Sequence, residues 1–134
     1  MRAIHASILA ATALALAGCS SVASGSGGDA TSGDRIADGS TFSMQPGQSV
    51  TLADDGVLRY ERLVNDSRCM PDVQCVWAGD AELAFAWRSR SGATEQFSLH
   101  TGKGDKTRAL GERTLVLVSV ARGTAPEAQL RIDP

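Results

Sequence analysis

From Thr41 to the C-terminus the apolar residues alternate in short runs broken by Gly, Pro, Asp and Ser, and no stretch of ten or more residues keeps a helical period. A chain patterned this way predicts an all-β fold. Phe42 and Met44 alternate with polar neighbours, Pro46-Gly47 supplies the two backbone angles of a type II turn, and Val50 and Leu52 resume the alternation. Asp54-Asp55-Gly56 marks the next reversal. In the following run, Val57 to Val64, the alternation Leu58, Tyr60 changes phase at Leu63, as a β-bulge near Glu61-Arg62 produces. Ala81 to Arg88 is the clearest strand, with Leu83, Phe85 and Trp87 on one face; Ser91-Gly92 turns it into Thr94–His100, where Phe97 and Leu99 share a face. Leu115 to Val120 is apolar on both faces and reads as a central strand, and Leu130 and Ile132 belong to a last alternating one. Seven or eight strands in about 95 residues predict a small antiparallel sandwich or closed barrel. The expected core comprises Phe42, Val50, Leu52, Leu58, Tyr60, Leu83, Phe85, Phe97, Leu99, Val116, Val118, Leu130 and Ile132.

The N-terminus carries an address. Arg2 precedes about thirteen mostly apolar residues, Ala3 to Ala15, too few for the roughly 20 that a membrane span requires. Leu16-Ala17-Gly18-Cys19 follows and resembles a bacterial lipobox. That resemblance implies a signal peptide over 1–18, cleavage before Cys19 and a lipid on its sulfur, with the protein held to the membrane by buried acyl chains. By resemblance to Gram-negative sorting, Ser20 after the lipidated cysteine implies the outer membrane, facing the periplasm. Residues 19–39 are crowded with Ser, Gly and Asp and bury too little to offset ordering, so they read as a tether to a single β domain over 40–134. Removing residues 1–18 takes Arg2 away and leaves 12 basic against 15 acidic side chains. A net charge of about −3 offers no basic patch and excludes a nucleic-acid partner.

With Cys19 taken by lipid, Cys69 and Cys75 remain as an even pair in an exported chain, and a disulfide is the expected use. It would staple a domain whose single core is thin at this size. A pair spaced C-x5-C is a poor metal site, because structural zinc wants four N or S ligands and the mature chain has one histidine, His100. Met44 and Met70 beside His100 would suit a soft metal, but isolated methionines are ordinarily packing residues. No cofactor or metal is expected.

Asp66-Ser67-Arg68-Cys69-Met70-Pro71-Asp72-Val73-Gln74-Cys75-Val76-Trp77-Ala78-Gly79 is the one segment specified residue by residue. It resembles a D-S-R-C-P-x4-C-x-W-x-G signature of uncharacterised bacterial lipoproteins and secreted proteins. Asp66, Ser67, Arg68, Cys69, Cys75, Trp77 and Gly79 fall on its positions; Met70 stands where proline is usual, with Pro71 one place later. Physically the segment reads as a cap on one end of the domain, with Trp77 available to cover the disulfide and the Arg68 fork suited to Asp66, Asp72 or exposed loop carbonyls. The same Asp66, Arg68 and Trp77 would frame a recognition surface, since rigid loops on β scaffolds carry binding and Arg and Trp are frequent hot spots.

Catalytic constellations are weak. Ser67 lacks a G-x-S-x-G context, and a triad would have to recruit His100. Asp54, Asp55, Asp66, Asp72, Asp80 and Glu82 sit mostly where Asp favours turns, and Gly102-Lys103-Gly104 lacks the spacing and following helix of a phosphate loop. The sequence therefore predicts a non-enzymatic, lipid-anchored binding or structural module of the cell envelope with a possible envelope protein partner. An inhibitor of an envelope-active hydrolase, such as a lysozyme inhibitor, is the alternative.

Overall fold

The computed structural model describes residues 35–134. The signal peptide over 1–18, Cys19 and residues 20–34 of the expected tether lie outside them. Nine strands follow: β1 (Arg35–Ile36), β2 (Thr41–Met44), β3 (Ser49–Leu52), β4 (Val57–Asp66), β5 (Ala81–Arg88), β6 (Thr94–His100), β7 (Thr107–Leu110), β8 (Arg113–Val120) and β9 (Ala128–Asp133). They form a five-stranded sheet in the order β1-β3-β4-β5-β6 and a four-stranded sheet in the order β2-β9-β8-β7. All pairings are antiparallel except β1 with β3. The two separate sheets make a sandwich rather than a closed barrel.

Two of the strands fall outside the expected seven or eight. β7 is exposed along most of its length and buries only Leu110, so its alternation carries little signal. β1 lies in the stretch expected to be tether and extends the domain upstream of residue 40. Its register sets Arg35 beside Thr51 and Ile36 beside Leu52, and Arg35 also pairs with Asp55 at 2.5 Å.

The turns behave as their chemistry dictates. Gly47 adopts φ +89° and the Gln48 amide donates to the Gln45 carbonyl, which makes Gln45–Gln48 a type II turn. It carries the chain from one sheet to the other instead of closing a hairpin. At Asp54-Asp55-Gly56 the Gly56 amide donates to Asp54 Oδ1, and Asp55 takes a positive φ of 67°. Between β4 and β5 the register slips at Tyr60/Arg62, so Leu58, Tyr60 and Leu63 all face the partner residues Trp87, Phe85 and Leu83 across the pair.

The core lies between the sheets. Tyr60, Phe85 and Phe97 stack in series at 5.0 and 5.8 Å between ring centres, and the Tyr60 hydroxyl donates to the Pro126 carbonyl. Burial raises the Tyr60 pKa to about 12. Leu52, Leu58, Leu83, Leu99, Leu130 and Ile132 are buried as expected, joined by Met44, Trp87 and Leu110, while Phe42, Val50 and Phe97 pack at its margin. The phase of β8 corrects the expectation. Leu115 and Leu117 are buried, whereas Val116 is half-buried and Val118 faces solvent. A strand apolar on both faces does not choose its own side. The choice comes from pairing, because Leu115 stands opposite Ile132 and Leu117 opposite Leu130, and cross-strand partners share a face.

These packing rules give the sandwich two unlike ends. Chain entry at Arg35, the β3–β4 and β5–β6 hairpins and the β7–β8 turn gather at one end. The segment 66–80, the β6–β7 loop and residues 121–127 gather at the other.

Candidate functional site

The segment Asp66 to Asp80 leaves β4 and returns into β5, and its base continues their ladder. The Ser67 amide donates to the Asp80 carbonyl at 2.7 Å, and the Cys69 amide to the Ala78 carbonyl at 2.9 Å. Ser67 Oγ accepts from the Asp80 amide and donates to the Asp80 carbonyl, both at 3.1 Å. Gly79 closes this base with φ +74°. A Cβ there would stand 1.9 Å from the Ser67 carbonyl oxygen, so the position admits glycine alone.

Arg68 fastens the base to the second sheet. Its Nε and Nη2 donate to Asp66 at 2.8 and 2.6 Å, and its Nη1 and Nη2 donate to the carbonyls of Val120 and Ala121 at 2.7 and 2.8 Å. The side chain keeps only 14% of its exposure, and that of Asp66 20%. Hydrogen bonds from Arg68 hold the Asp66 carboxyl below the usual carboxylate range. The carbonyls that Arg68 reaches lie at the end of β8 and on the residue after it, not in its own loop, and Asp72 is not among its partners. Four donated bonds turn the Arg68 fork inward as a clamp between sheets. Arg122 adds a fastening from the opposite side, donating to the Cys69 carbonyl at 2.6 Å.

The adjacent β6–β7 loop is tied to the same base. Asp80 accepts from the Gly102 amide at 2.8 Å and lies 2.6 Å from His100 Nδ1, while Thr101 Oγ1 accepts from the Ala81 amide. Burial acts to raise the Asp80 pKa. Bonds from His100 and from the Gly102 and Lys103 amides outweigh it and bring the carboxyl down to about 2. His100 and Asp80 make a hydrogen-bonded pair, yet the Ser67 hydroxyl is spent on the Asp80 backbone and does not reach the imidazole as a nucleophile needs.

The outer part of the loop is different in kind. Cys69 and Cys75 form the expected disulfide, with their Cα atoms 6.0 Å apart. Within and beyond that ring, Met70, Val73, Val76 and Trp77 are exposed, Trp77 at 60% and Val76 at 104%. Trp77 therefore stands largely in solvent, unlike a residue sealed over a disulfide. Of the three residues singled out from sequence, Asp66 and Arg68 are joined in the base, and Trp77 belongs to the exposed tip. Sequence reasoning passed over Arg122, the Asp80–His100 pair and the apolar companions of Trp77. The last were legible as Met and Val within a loop otherwise built from Pro, Asp and Gln; the first two depend on neighbours brought from distant segments.

At the opposite end of the sandwich a cleft of about 610 Å³ opens beside Trp87, Ser89, Arg90 and Arg113. Arg113 is neutralised there by Asp38 and Asp54, at 2.5 and 3.0 Å. Among the described residues the Trp87 indole Nε1 has no hydrogen-bond partner, and it is sealed beneath Gly56, so it does not present its donor to the cleft. Among the described residues, no group of three or more His, Cys, Asp or Glu side chains is placed to hold a metal ion. Comparison with protein-family models, with curated proteins and with solved structures finds no match.

Proposed function

We propose that this chain is an exported, lipid-anchored protein of the bacterial cell envelope that works as a non-enzymatic binding module, with the disulfide loop as its docking element. The observation that carries the reading is the tip itself. Four large apolar side chains, Met70, Val73, Val76 and Trp77, are held in solvent on a loop closed by a disulfide and fastened by Arg68 and Arg122. Water-exposed apolar surface of this density lowers solubility and contributes nothing to the core, so its retention on a rigid support fits recognition. Rigidity also reduces the ordering cost of binding. Trp77 takes the role of apolar anchor, and Arg68 positions the loop from below.

The lipobox Leu16-Ala17-Gly18-Cys19 supports the address, and placement in the outer membrane follows from Ser20 by the same resemblance. The loop signature resembles that of lipoproteins and secreted proteins, in keeping with that address. Acyl labelling with mass spectrometry should find lipid on Cys19, and Cys19→Ser should release the protein from membranes. For the docking role, the tethered protein is used to capture envelope partners beside its Trp77→Ala form. A partner retained equally by both, with both folded, removes the loop from recognition.

An inhibitor of an envelope-active hydrolase is the second reading. It is favoured by the protruding, covalently closed shape of the tip, which suits insertion into another protein's cleft.

A further inference from the structure

We infer that the partner of this loop presents a concave apolar pocket, rimmed by a cation that meets Asp72 and a carboxylate that meets Arg122. The inference rests on the docking role proposed above and specifies what docks. Its ground is the shape of the tip. At 104% relative exposure Val76 is as open as in an extended peptide, and Trp77, Met70 and Val73 beside it are more than half exposed. A flat surface covers one side of such a knob and leaves the others wet. Only a surface that wraps around it removes most of that area from water, and the favourable free energy scales with the area removed.

Other occupants fit less well. A second copy of the chain meeting tip to tip would set one convex surface against another. A lipid surface meets two obstacles. Segments 66–80, 100–106 and 121–127 carry five carboxylates against four Lys and Arg, so anionic headgroups are not attracted. Asp72 lies within the tip and would have to leave water for the tip to insert. The chain also enters the described domain at the far end. Arg35 registers with Thr51 beside Val57, and β4 then runs ten residues, about 30 Å, before Asp66 begins the loop. Chain entry and tip thus lie at opposite ends of the described domain.

Charge completes the description of the pocket. Asp72 is exposed and, among the described residues, has no ion-pair partner. Arg122 is exposed at the base and spends one Nη on the Cys69 carbonyl; among the described residues no carboxylate lies at salt-bridge distance from it, although its charge reaches Asp66. One charge of each sign thus lies at the loop outside any ion pair among the described residues, Asp72 within the tip and Arg122 at its base, and complementary charges at a pocket rim fix register and suppress wrong partners.

The test uses the full-length protein in its own cell, with a photoreactive side chain at position 76 and, as control, at position 91 in the β5–β6 hairpin at the opposite end. Irradiation should give one protein adduct from position 76 and none of that protein from position 91. Mass spectrometry should place the attachment inside an apolar depression of the partner. With that purified partner, full-length Trp77→Ala and Asp72→Lys should each bind at least tenfold more weakly than the wild type. An adduct to phospholipid, to a second copy, or to a flat or polar surface of another protein overturns the inference. In the flat-surface case, weaker binding by Trp77→Ala leaves the docking role standing and removes only the concave pocket. Unchanged binding by Asp72→Lys removes the charged rim. No protein adduct from position 76 removes both the pocket and the docking role.

Discussion

The base and the tip of the disulfide loop lie within fourteen residues of each other and obey opposite rules. In the base the loop's own polar groups are spent inside the molecule: Asp66 on Arg68, Arg68 on the carbonyls of Val120 and Ala121, and Ser67 on the backbone amide and carbonyl of Asp80, while Gly79 makes a contact no other residue tolerates. In the tip the four large apolar side chains, Met70, Val73, Val76 and Trp77, are left in solvent. Matched polar groups rigidify, whereas unmatched apolar groups make no contribution to the fold. The difference sets a structural lock beside an unspent apolar surface within one segment, so substitutions in the two parts should change different observables.

Opening the disulfide should have the largest effect on stability. Cys69→Ser with Cys75→Ser removes the closure that separates base from tip, and loss of a native disulfide from a small secreted domain costs about 2–5 kcal/mol. A clear fall in the thermal midpoint is expected. An unchanged midpoint would mean that Arg68 and Arg122 alone hold the loop.

Arg68→Met tests the base next. It deletes bonds to Asp66, Val120 and Ala121 while keeping the aliphatic stem, and losing hydrogen bonds of a charged group at a part-buried site should cost about 1.5–3 kcal/mol in chemical denaturation. A cost below about 0.5 kcal/mol would break the distinction, because the base would then be no more locked than the tip.

Acid should act on the base through Asp80. Its folded pKa of about 2 lies below the unfolded value of 3.8, so the unfolded state binds the proton first. The stabilisation is full above about pH 4 and is lost as pH falls towards 2. Stability measured across that window should drop more steeply for the wild type than for Asp80→Asn, by up to about 2 kcal/mol. Parallel curves would show that the bonds His100, Gly102 and Lys103 make to the Asp80 carboxylate contribute nothing.

The smallest stability effect belongs to the tip. Trp77→Ala and Val76→Ala should each leave stability within about 0.5 kcal/mol of the wild type, as exposed substitutions do, while weakening partner binding by about 1–2 kcal/mol or more for Trp77→Ala. If stability falls together with binding, the tip is a cover for the disulfide and the comparison dissolves.

Legibility in the sequence followed range. Turn chemistry is local, so Pro46-Gly47, Asp54-Asp55-Gly56 and Ser91-Gly92 could be placed without knowing what they join. The bulge after Tyr60 was visible because one strand shows both phases of its own alternation, and Leu83, Phe85 and Trp87 declared their face because polar residues or alanine fill the other. β8 did not, since Leu115 to Val120 is apolar in both registers and only its pairing with β9 assigns Leu115 and Leu117 to the core. Arg68 was legible as a residue that seeks acceptors. The acceptors themselves, on Val120 and Ala121, lie 52 and 53 residues away.

By itself the sequence determined the all-β class, the turns at Pro46-Gly47, Asp54-Asp55-Gly56 and Ser91-Gly92, and Arg68 as a residue that seeks acceptors, because hydrophobic period, backbone angle preference and hydrogen-bonding capacity are properties of a few neighbouring residues. Tertiary structure alone decided that the strands divide into two sheets, that β8 turns its leucines inward, that Arg68 is a clamp and that Trp77 is left in solvent. Each of those outcomes depends on which distant segment arrives alongside. Burial is a property of the assembled surface, and a side chain's partner is set by register between strands far apart in the chain.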